Sequence, residues 1–269
     1  MTREEILALA SAMTQAGSAA LEALREGMEV KDKTSPQDVV TEADLKSERI
    51  LAVALRQMFP SDGIMSEEGE FFTGGRTWFL DPIDGTANYA GGSDYWGLSA
   101  GTVRGFGMIY LPVDGAGSWF WVEDDGKAGM SYECDLSATF DLRVESPSPC
   151  RLRDALVDVG AWPGLESVFV DVRQKARMTG MINSFVWEAM LVAQGKLDAY
   201  VHAGATIFDV AAAIPICRAA GCVVTGVAAD EPVPDLADPE IGQRKFPIVI
   251  ACSRQLSDEL RTLVAPLIR

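Results

Sequence analysis

The sequence predicts a mixed α/β (α+β) chain in which helices cover sheets, and three observations lead there. Short apolar runs separated by glycine and aspartate turns fill residues 77–144, the pattern of an antiparallel sheet. From residue 155 onward strand-like and helix-like segments alternate instead, and such alternation sets helices against a sheet. The chain has 269 residues, 48% of them hydrophobic, enough for one large or two intimately packed units with a sizeable core. Residues 145–149, with two prolines, are the best place to divide it into an N-terminal half of 1–146 and a C-terminal half of 147–269.

The elements follow in order. Thr2 and Glu5 have capping-box spacing, and Leu7, Ala10, Met13, Ala20, Leu21 and Leu24 continue a helix until Gly27. Residues 31–38 read as a polar loop, 39–40 as a short extended piece, and a second helix begins near Thr41 and stops at Phe59 and Pro60. Asp44 sits in its first turn, where the helix dipole favours an acid whatever the protein does. Residues 63–66 form a short strand, and Glu67, Glu68 and Glu70 follow it as an acidic run that by itself reads as a solvated loop.

Trp78, Phe79 and Leu80 then predict a buried strand that ends abruptly in Asp81, Pro82, Ile83, Asp84 and Gly85. Asp81 and Asp84 are too close to face each other as acid and base across a substrate, but a turn can fold both onto one cation. Asp-Pro and Asp-Gly are also ordinary turn signals, so the spacing alone leaves a plain turn open. Beyond Gly85, Thr86 opens a short helix whose free N–H groups would face an anion.

Residues 96–103, 107–111, 118–122 and 139–144 are β-like, and Asp124, Asp125 and Gly126 make a hairpin turn rather than a calcium loop, whose alternating acids are missing. In the second half, strands are expected at 155–159, 197–201, 222–225 and 247–251 and helices at 167–177, 184–194 and 207–220, with Pro215 kinking the last. The stretch 230–245 is an acidic, proline-bearing loop, and Ser253 caps a final helix. The only histidine, His202, ends a strand, where alone it reads as a structural residue.

A formal net charge of −16 and a pI near 4.5 argue against a nucleic-acid or anionic-membrane partner. Cys134, Cys150, Cys217, Cys222 and Cys252 contain no Cys-x-x-Cys pair, and one histidine does not complete a zinc set, so they read as buried thiols. The start of the chain lacks the basic, continuously apolar character of a signal peptide, and no window reaches a membrane span; a soluble cytoplasmic protein is expected.

Taken as one string, Asp81-Pro82-Ile83-Asp84-Gly85-Thr86-Ala87-Asn88 after an aromatic strand resembles the signature of the inositol monophosphatase family of metal-dependent phosphatases. Lys33 to Asp44 is similar to the family segment whose final aspartate holds a water-activating threonine. Phe208 to Ala213 is similar to a second signature, with Phe208 in place of its tryptophan. The resemblance runs from Lys33 to the final strand and helix. It implies a layered αβαβα sandwich of the inositol monophosphatase and fructose-1,6-bisphosphatase type, and Mg²⁺-dependent hydrolysis of a small phosphate monoester.

It also implies roles for residues. Glu67, Asp81 and the Ile83 carbonyl would hold one ion, and Asp81, Asp84 and Asp209 another, with two or three Mg²⁺ per site and Mn²⁺ as a substitute. An all-oxygen set of this kind suits those ions better than zinc. A metal-activated water would be the nucleophile, oriented by Thr86 and Asp44 with Glu67 as a further catalytic group, and the Gly85 and Thr86 N–H groups would receive the phosphate. Substrate contacts are implied for Asp84, Ser184, Phe185, His202 and Asp209. Two departures bear on the substrate. His202 falls where the family carries a glutamate that binds hydroxyls, and Asn183, Ser184 and Phe185 replace a glycine, a small hydroxyl residue and an alanine, so that Phe185 narrows or reshapes the pocket.

The implied substrate is an inositol, sugar or polyol phosphate. The alternatives are fructose bisphosphate, adenosine 3′,5′-bisphosphate or histidinol phosphate, or a family member acting mainly as a protein-binding regulator. Lithium sensitivity and a homodimer are expected by analogy.

Overall fold

The computed structural model describes every residue except 28–29, 36–37, 70, 104, 114–115, 123–125, 134, 143, 145–149, 161–165, 234–237, 239 and 269. Glu70, Cys134, the turn at Asp124 and Asp125, and the dividing segment 145–149 therefore lie outside the described residues.

Helix α1 (Arg3–Glu26) starts at the expected capping box, with Thr2 accepting from the Glu5 amide at 3.2 Å and Glu5 accepting from the Thr2 amide at 2.7 Å. A hairpin of β1 (Val30–Ser35) and β2 (Asp38–Thr41) leads to α2 (Glu42–Met58), for which Thr41 is the N-cap. β2 contains the short extended piece expected at 39–40, whereas β1 occupies the segment expected as a polar loop, because its residues carry no apolar alternation to mark a strand.

Strands β3 (Gly63–Ser66), β4 (Phe71–Phe72), β5 (Thr77–Asp84), β6 (Gly97–Gly101), β7 (Gly107–Val113), β8 (Ala116–Val122), β9 (Ala128–Ser131) and β10 (Thr139–Asp141) form one sheet, with α3 (Thr86–Ala90) following β5. Its order is β10-β9-β8-β7-β6-β5-β3-β4, and every neighbouring pair is antiparallel except β3 with β5. The exception arises because β4 folds back along the outer side of β3, so the chain enters β5 running the same way as β3.

The second sheet comprises β11 (Leu156–Gly160), β12 (Met178–Gly180), β13 (Ala199–Ala205), β14 (Val223–Gly226) and β15 (Phe246–Ala251), in the order β12-β11-β13-β15-β14. Between its strands run α4 (Glu166–Lys175), α5 (Phe185–Ala193) and α6 (Ile207–Ala219), and α7 (Arg254–Val264) closes the chain behind its Ser253 cap.

Strand alternation assigns each side chain to a layer. On β5, Trp78 and Leu80 point into a core shared with α1 and α2, whereas Phe79 points into one shared with α5 and α6. On β15, Ile248 and Ile250 face α5 and α6 from the other side, and Val249 and Ala251 face α4 and α7. The result is α1 and α2, sheet, α5 and α6, sheet, α4 and α7: the layered αβαβα sandwich. Among the described residues no helix is long and apolar enough to cross a membrane.

The middle layer is set by close backbone contact. An ideal Cβ on Gly101 would lie 2.4 Å from the Ala211 carbonyl, and one on Gly107 would lie 2.4 Å from the Ala212 oxygen, so α6 rests directly on β6 and β7. Pro215 lies within α6 and has no N–H to offer the carbonyl four residues back. That carbonyl, of Ala211, instead accepts the Val103 amide at 3.0 Å. A helix-breaking residue is thus used to bond a helix to a sheet. Gly101→Ala should lower the unfolding free energy by about 1–3 kcal/mol, because the backbone it meets cannot move aside like a flexible side chain. Urea titration of the purified variant checks this, and an unchanged midpoint would contradict the contact.

Candidate active site

A straight strand puts residues three apart on opposite faces, which would separate Asp81 from Asp84. The pairing of β5 with β6 avoids this by a register shift: Asp81 is opposite Ser99, and Asp84 is opposite Gly97, so β5 carries one extra residue there. The bulge returns both carboxylates to one side, and Pro82 suits it because no ladder donor is needed. Both side chains are buried. Parallel pairing of β3 with β5 sets Ser66 beside Leu80, and the Glu67 amide donates to the Leu80 carbonyl at 3.1 Å. Glu67 therefore leaves the end of β3 next to Asp81, exposed where the aspartates are buried.

Helix N-termini surround these acids. Asp44 completes the capping box of α2, its Oδ2 accepting from the Thr41 amide at 2.8 Å and the Thr41 hydroxyl at 2.6 Å. Asp209 does the same for α6, accepting from the Thr206 amide and, at 2.9 Å, from its hydroxyl. Asp84 receives the opening of α5: the Phe185 and Val186 amides each donate to it at 3.1 Å, and the Ser184 hydroxyl donates as well. The positive ends of these helices partly offset the carboxylates.

Gly85 links β5 to α3 in the left-handed region, φ +80°, and a Cβ there would lie 2.8 Å from the Tyr95 carbonyl. The hydroxyl of Thr86 lies 2.8 Å from the Ile83 carbonyl and 3.4 Å from Asp44 Oδ1. One hydroxyl carries one proton, so the two acceptors compete, and the shorter contact goes to Ile83.

Carboxylate oxygens of Asp81, Asp84 and Asp209 all lie within 4.8 Å of one another. Burial, then Glu67, Asp84, Asp209 and Asp44 as like charges, hold the Asp81 carboxyl well above its usual range. Burial and Asp209 push Asp84 up to about 7, despite the hydrogen bonds from Ser184, Val186 and Phe185 that work the other way. Burial and Glu67 push Asp209 up to about 6. Three converging carboxylates that cannot all ionise comfortably are a donor set that fits a hard divalent cation.

Of the residues expected to contact substrate, Phe185 is buried in the middle layer, its ring edge-to-face with Tyr200 and with His202 at centroid distances of 5.3 and 5.6 Å. Its amide serves Asp84, and its ring backs His202. His202 is half-buried; burial and the Lys245 charge hold its ring at about 3, so it is neutral, and an imidazolium attracting anions at this position is not what the fold supports. Its Nδ1 accepts the Gly204 amide at 3.2 Å, which leaves the proton on Nε2. Gly160 opposite it on β11 leaves room for the ring, since a Cβ there would lie 2.2 Å from it and force it to shift.

Three residues in this neighbourhood went without a role in the sequence reading. Asn88 donates to the carbonyls of Tyr95 at 2.9 Å and Ile182 at 2.8 Å, clamping the approach to α5 against the β5 turn. Glu188, fully buried on α5, accepts the Ile182 amide at 2.9 Å, and burial raises its carboxyl to about 8. Lys245, on entry to β15, lends positive charge to both Asp209 and His202. Asn88 lay inside the motif and was the one signal available. The other two were an acid within an apolar helix and a base at the end of an acidic loop.

Comparison with known proteins adds to this geometry. The sequence profile of the inositol monophosphatase family matches residues 2–256. A histidinol-phosphatase of Streptomyces coelicolor is 31% identical over 236 residues, 82% of this chain and 86% of the relative. A fructose-1,6-bisphosphatase/inositol-1-monophosphatase of Thermotoga maritima is 27% identical over 207 residues, 75% of this chain and 77% of the relative. Among solved structures, a Thermotoga maritima IMPase superposes with a TM-score of 0.75 at 23% identity, covering 96% of each chain.

The raised carboxyls make the folded chain bind protons more tightly than the unfolded one, whose aspartates titrate near 3.8. Their contribution to stability is complete below that value and is lost as pH rises through about 6 and 7. In chelator, the melting temperature should therefore fall between about pH 5 and pH 8, and Mg²⁺ should restore more of it at the higher pH. Thermal denaturation at both pH values with and without Mg²⁺ measures this; a larger Mg²⁺ effect at the acid end would contradict the site.

Proposed function

Because the chain belongs to the inositol monophosphatase family, we propose that it is a Mg²⁺-dependent phosphomonoesterase acting on a small phosphorylated metabolite. The observation that carries this is the convergence of Asp81, Asp84 and Asp209 with raised affinity for protons. These carboxylates, with Glu67 and the Ile83 carbonyl, would hold Mg²⁺, which would supply Lewis acidity to the phosphoryl oxygens and lower the pKa of a bound water.

The chain's own groups do the rest. Thr86 orients the attacking water through its hydroxyl oxygen when its O–H donates to Asp44 in place of the Ile83 carbonyl, and the carboxylate is what lets the hydroxyl act as a proton acceptor. Amides of Gly85 and Thr86 receive phosphate oxygens. Asp84 and Asp209 accept from substrate hydroxyls, with Ser184 and the amides of Phe185 and Val186 holding Asp84 in place.

The substrate reading departs from inositol monophosphate. Where the family's glutamate would accept from hydroxyls, neutral His202 donates through Nε2, with Lys245 charged beside it. A donor favours an ester carrying an acceptor at that point, as a second phosphate or a ring nitrogen would, so fructose bisphosphate and histidinol phosphate rank above inositol monophosphate. The likeness to the histidinol-phosphatase supports histidinol phosphate, while the fructose-1,6-bisphosphatase/inositol-1-monophosphatase carries both of the other activities in its name. By the same analogy Li⁺ inhibits, the chain forms a homodimer, and it works in the cytoplasm.

The deciding experiment is a phosphate-release screen over inositol, sugar and bisphosphorylated nucleotide esters and histidinol phosphate, with and without Mg²⁺. Turnover that requires Mg²⁺ supports the reading, and no turnover of any ester would shift it to a protein-binding role. Asp44→Asn should reduce kcat about 100-fold or more with the fold kept, since an amide cannot take the threonine proton as a carboxylate does. Steady-state kinetics beside circular dichroism test it, and wild-type kcat would sink the assignment. His202→Glu should raise the kcat/KM ratio of inositol monophosphate over the preferred ester by about tenfold or more. An unmoved ratio would remove His202 from the specificity account.

A further inference from the structure

Outside the carboxylate site a second set of donors converges. Cys252 follows β15 and Asp198 precedes β13; with Ala199 opposite Ala251, the two are cross-strand neighbours, and the Cys252 amide donates to the Asp198 carbonyl at 2.8 Å. Asp198 is held further by β11: its amide donates to the Leu156 carbonyl at 3.0 Å, and its Oδ2 accepts the Leu156 amide at 2.8 Å. Cys150 reaches the same spot from the residue after the segment 145–149. The Sγ atoms of Cys150 and Cys252 and a carboxylate oxygen of Asp198 all lie within 4.8 Å of one another.

The geometry points to a binding site for a soft divalent cation of the zinc class, formed by Cys150, Cys252 and Asp198. Tetrahedral coordination with metal–sulfur bonds of about 2.3 Å places two sulfurs roughly 3.8 Å apart, a spacing this cluster accommodates. Two sulfurs and one oxygen select such an ion over Mg²⁺, which prefers oxygen alone. Among the described residues no fourth histidine, cysteine or acid joins the cluster, so a water is the fourth ligand. Binding releases two thiol protons, and the cation offsets two of the three negative charges of the thiolates and the carboxylate. A disulfide would use the two sulfurs and leave the carboxylate charge against them uncompensated. The backbone bonds to Asp198 fix its carboxylate in advance, the support such sites require. Bound there, the ion ties Cys150 to the ends of β13 and β15 on the side of the second sheet that α4 and α7 cover.

Cadmium titration of the full chain, reduced with a phosphine and kept in excess Mg²⁺, tests the proposal. Thiolate-to-cadmium charge transfer should give an ultraviolet band that saturates at one equivalent, a signal the all-oxygen site cannot produce. Cys252→Ser and Cys150→Ser should each abolish it, Asp198→Asn should weaken binding, and Cys217→Ser should leave it unchanged. Cys150→Ser guards against misfolding, because that side chain is the less buried of the two, and melting curves verify each variant. No band in the wild type with both thiols titrating as reduced, or a band surviving Cys252→Ser, would overturn the proposal. Mg²⁺-dependent phosphate release is read separately and stands or falls without it.

Discussion

Mutual repulsion among buried carboxylates is the constraint on which this fold turns. Unit negative charges about 4 Å apart oppose one another by roughly 4 kcal/mol per pair at an effective dielectric of about 20. Asp81, Asp84 and Asp209 are nevertheless brought within 4.8 Å, with Glu67 and Asp44 near enough to act on Asp81. A polypeptide gathers charge in this way at a cost in stability, and the raised carboxyls record that cost as protons retained. A divalent cation reverses its sign: the same oxygens that repel one another attract the ion jointly.

The scaffold holds the acids where that exchange can occur. A bulge in β5 sets two of them on one side, and the parallel partner β3 brings Glu67 alongside. Asp44, Asp84 and Asp209 each meet the start of a helix, so backbone dipoles and short hydrogen bonds offset part of the repulsion before any ion arrives. The elements carrying Asp84 and Asp209 are locked by contacts with no slack, α6 against Gly101 and Gly107, and the approach to α5 against Asn88. Rigidity at these points sets ligand distances, and ligand distances set the chemistry.

Much of this was legible in the residues. The capping box of α1, the start of α2 near Thr41, the buried aromatic strand at Trp78 to Leu80, and the cap of α7 at Ser253 were all written in local patterns, and the structure has them there, although β5 runs on through a bulge to Asp84. The reading of Asp44 as a plain first-turn acid and the reading as a site residue describe one side chain, since it caps α2 through Oδ2 and approaches Thr86 through Oδ1. What did not show depends on distant partners. β4 is only two phenylalanines, too short to show a period, and β9 and β12 are short and made largely of small or polar residues. The capping of α5 by Asp84, 101 residues before Phe185, has no local signature. Nor could spacing reveal that Asp198 and Cys252 meet, because register between β13 and β15 decides it, or that Cys150 reaches them from outside both strands.

The central claim is that the three aspartates exist to share cations. Anomalous diffraction from crystals grown with Mn²⁺ measures it most directly. The account predicts peaks bounded by Asp81, Asp84 and Asp209, with two ions about 3.5–4 Å apart and one of them reaching Glu67 and the Ile83 carbonyl. Manganese bound elsewhere, or no peak among those carboxylates at saturating Mn²⁺, would contradict it.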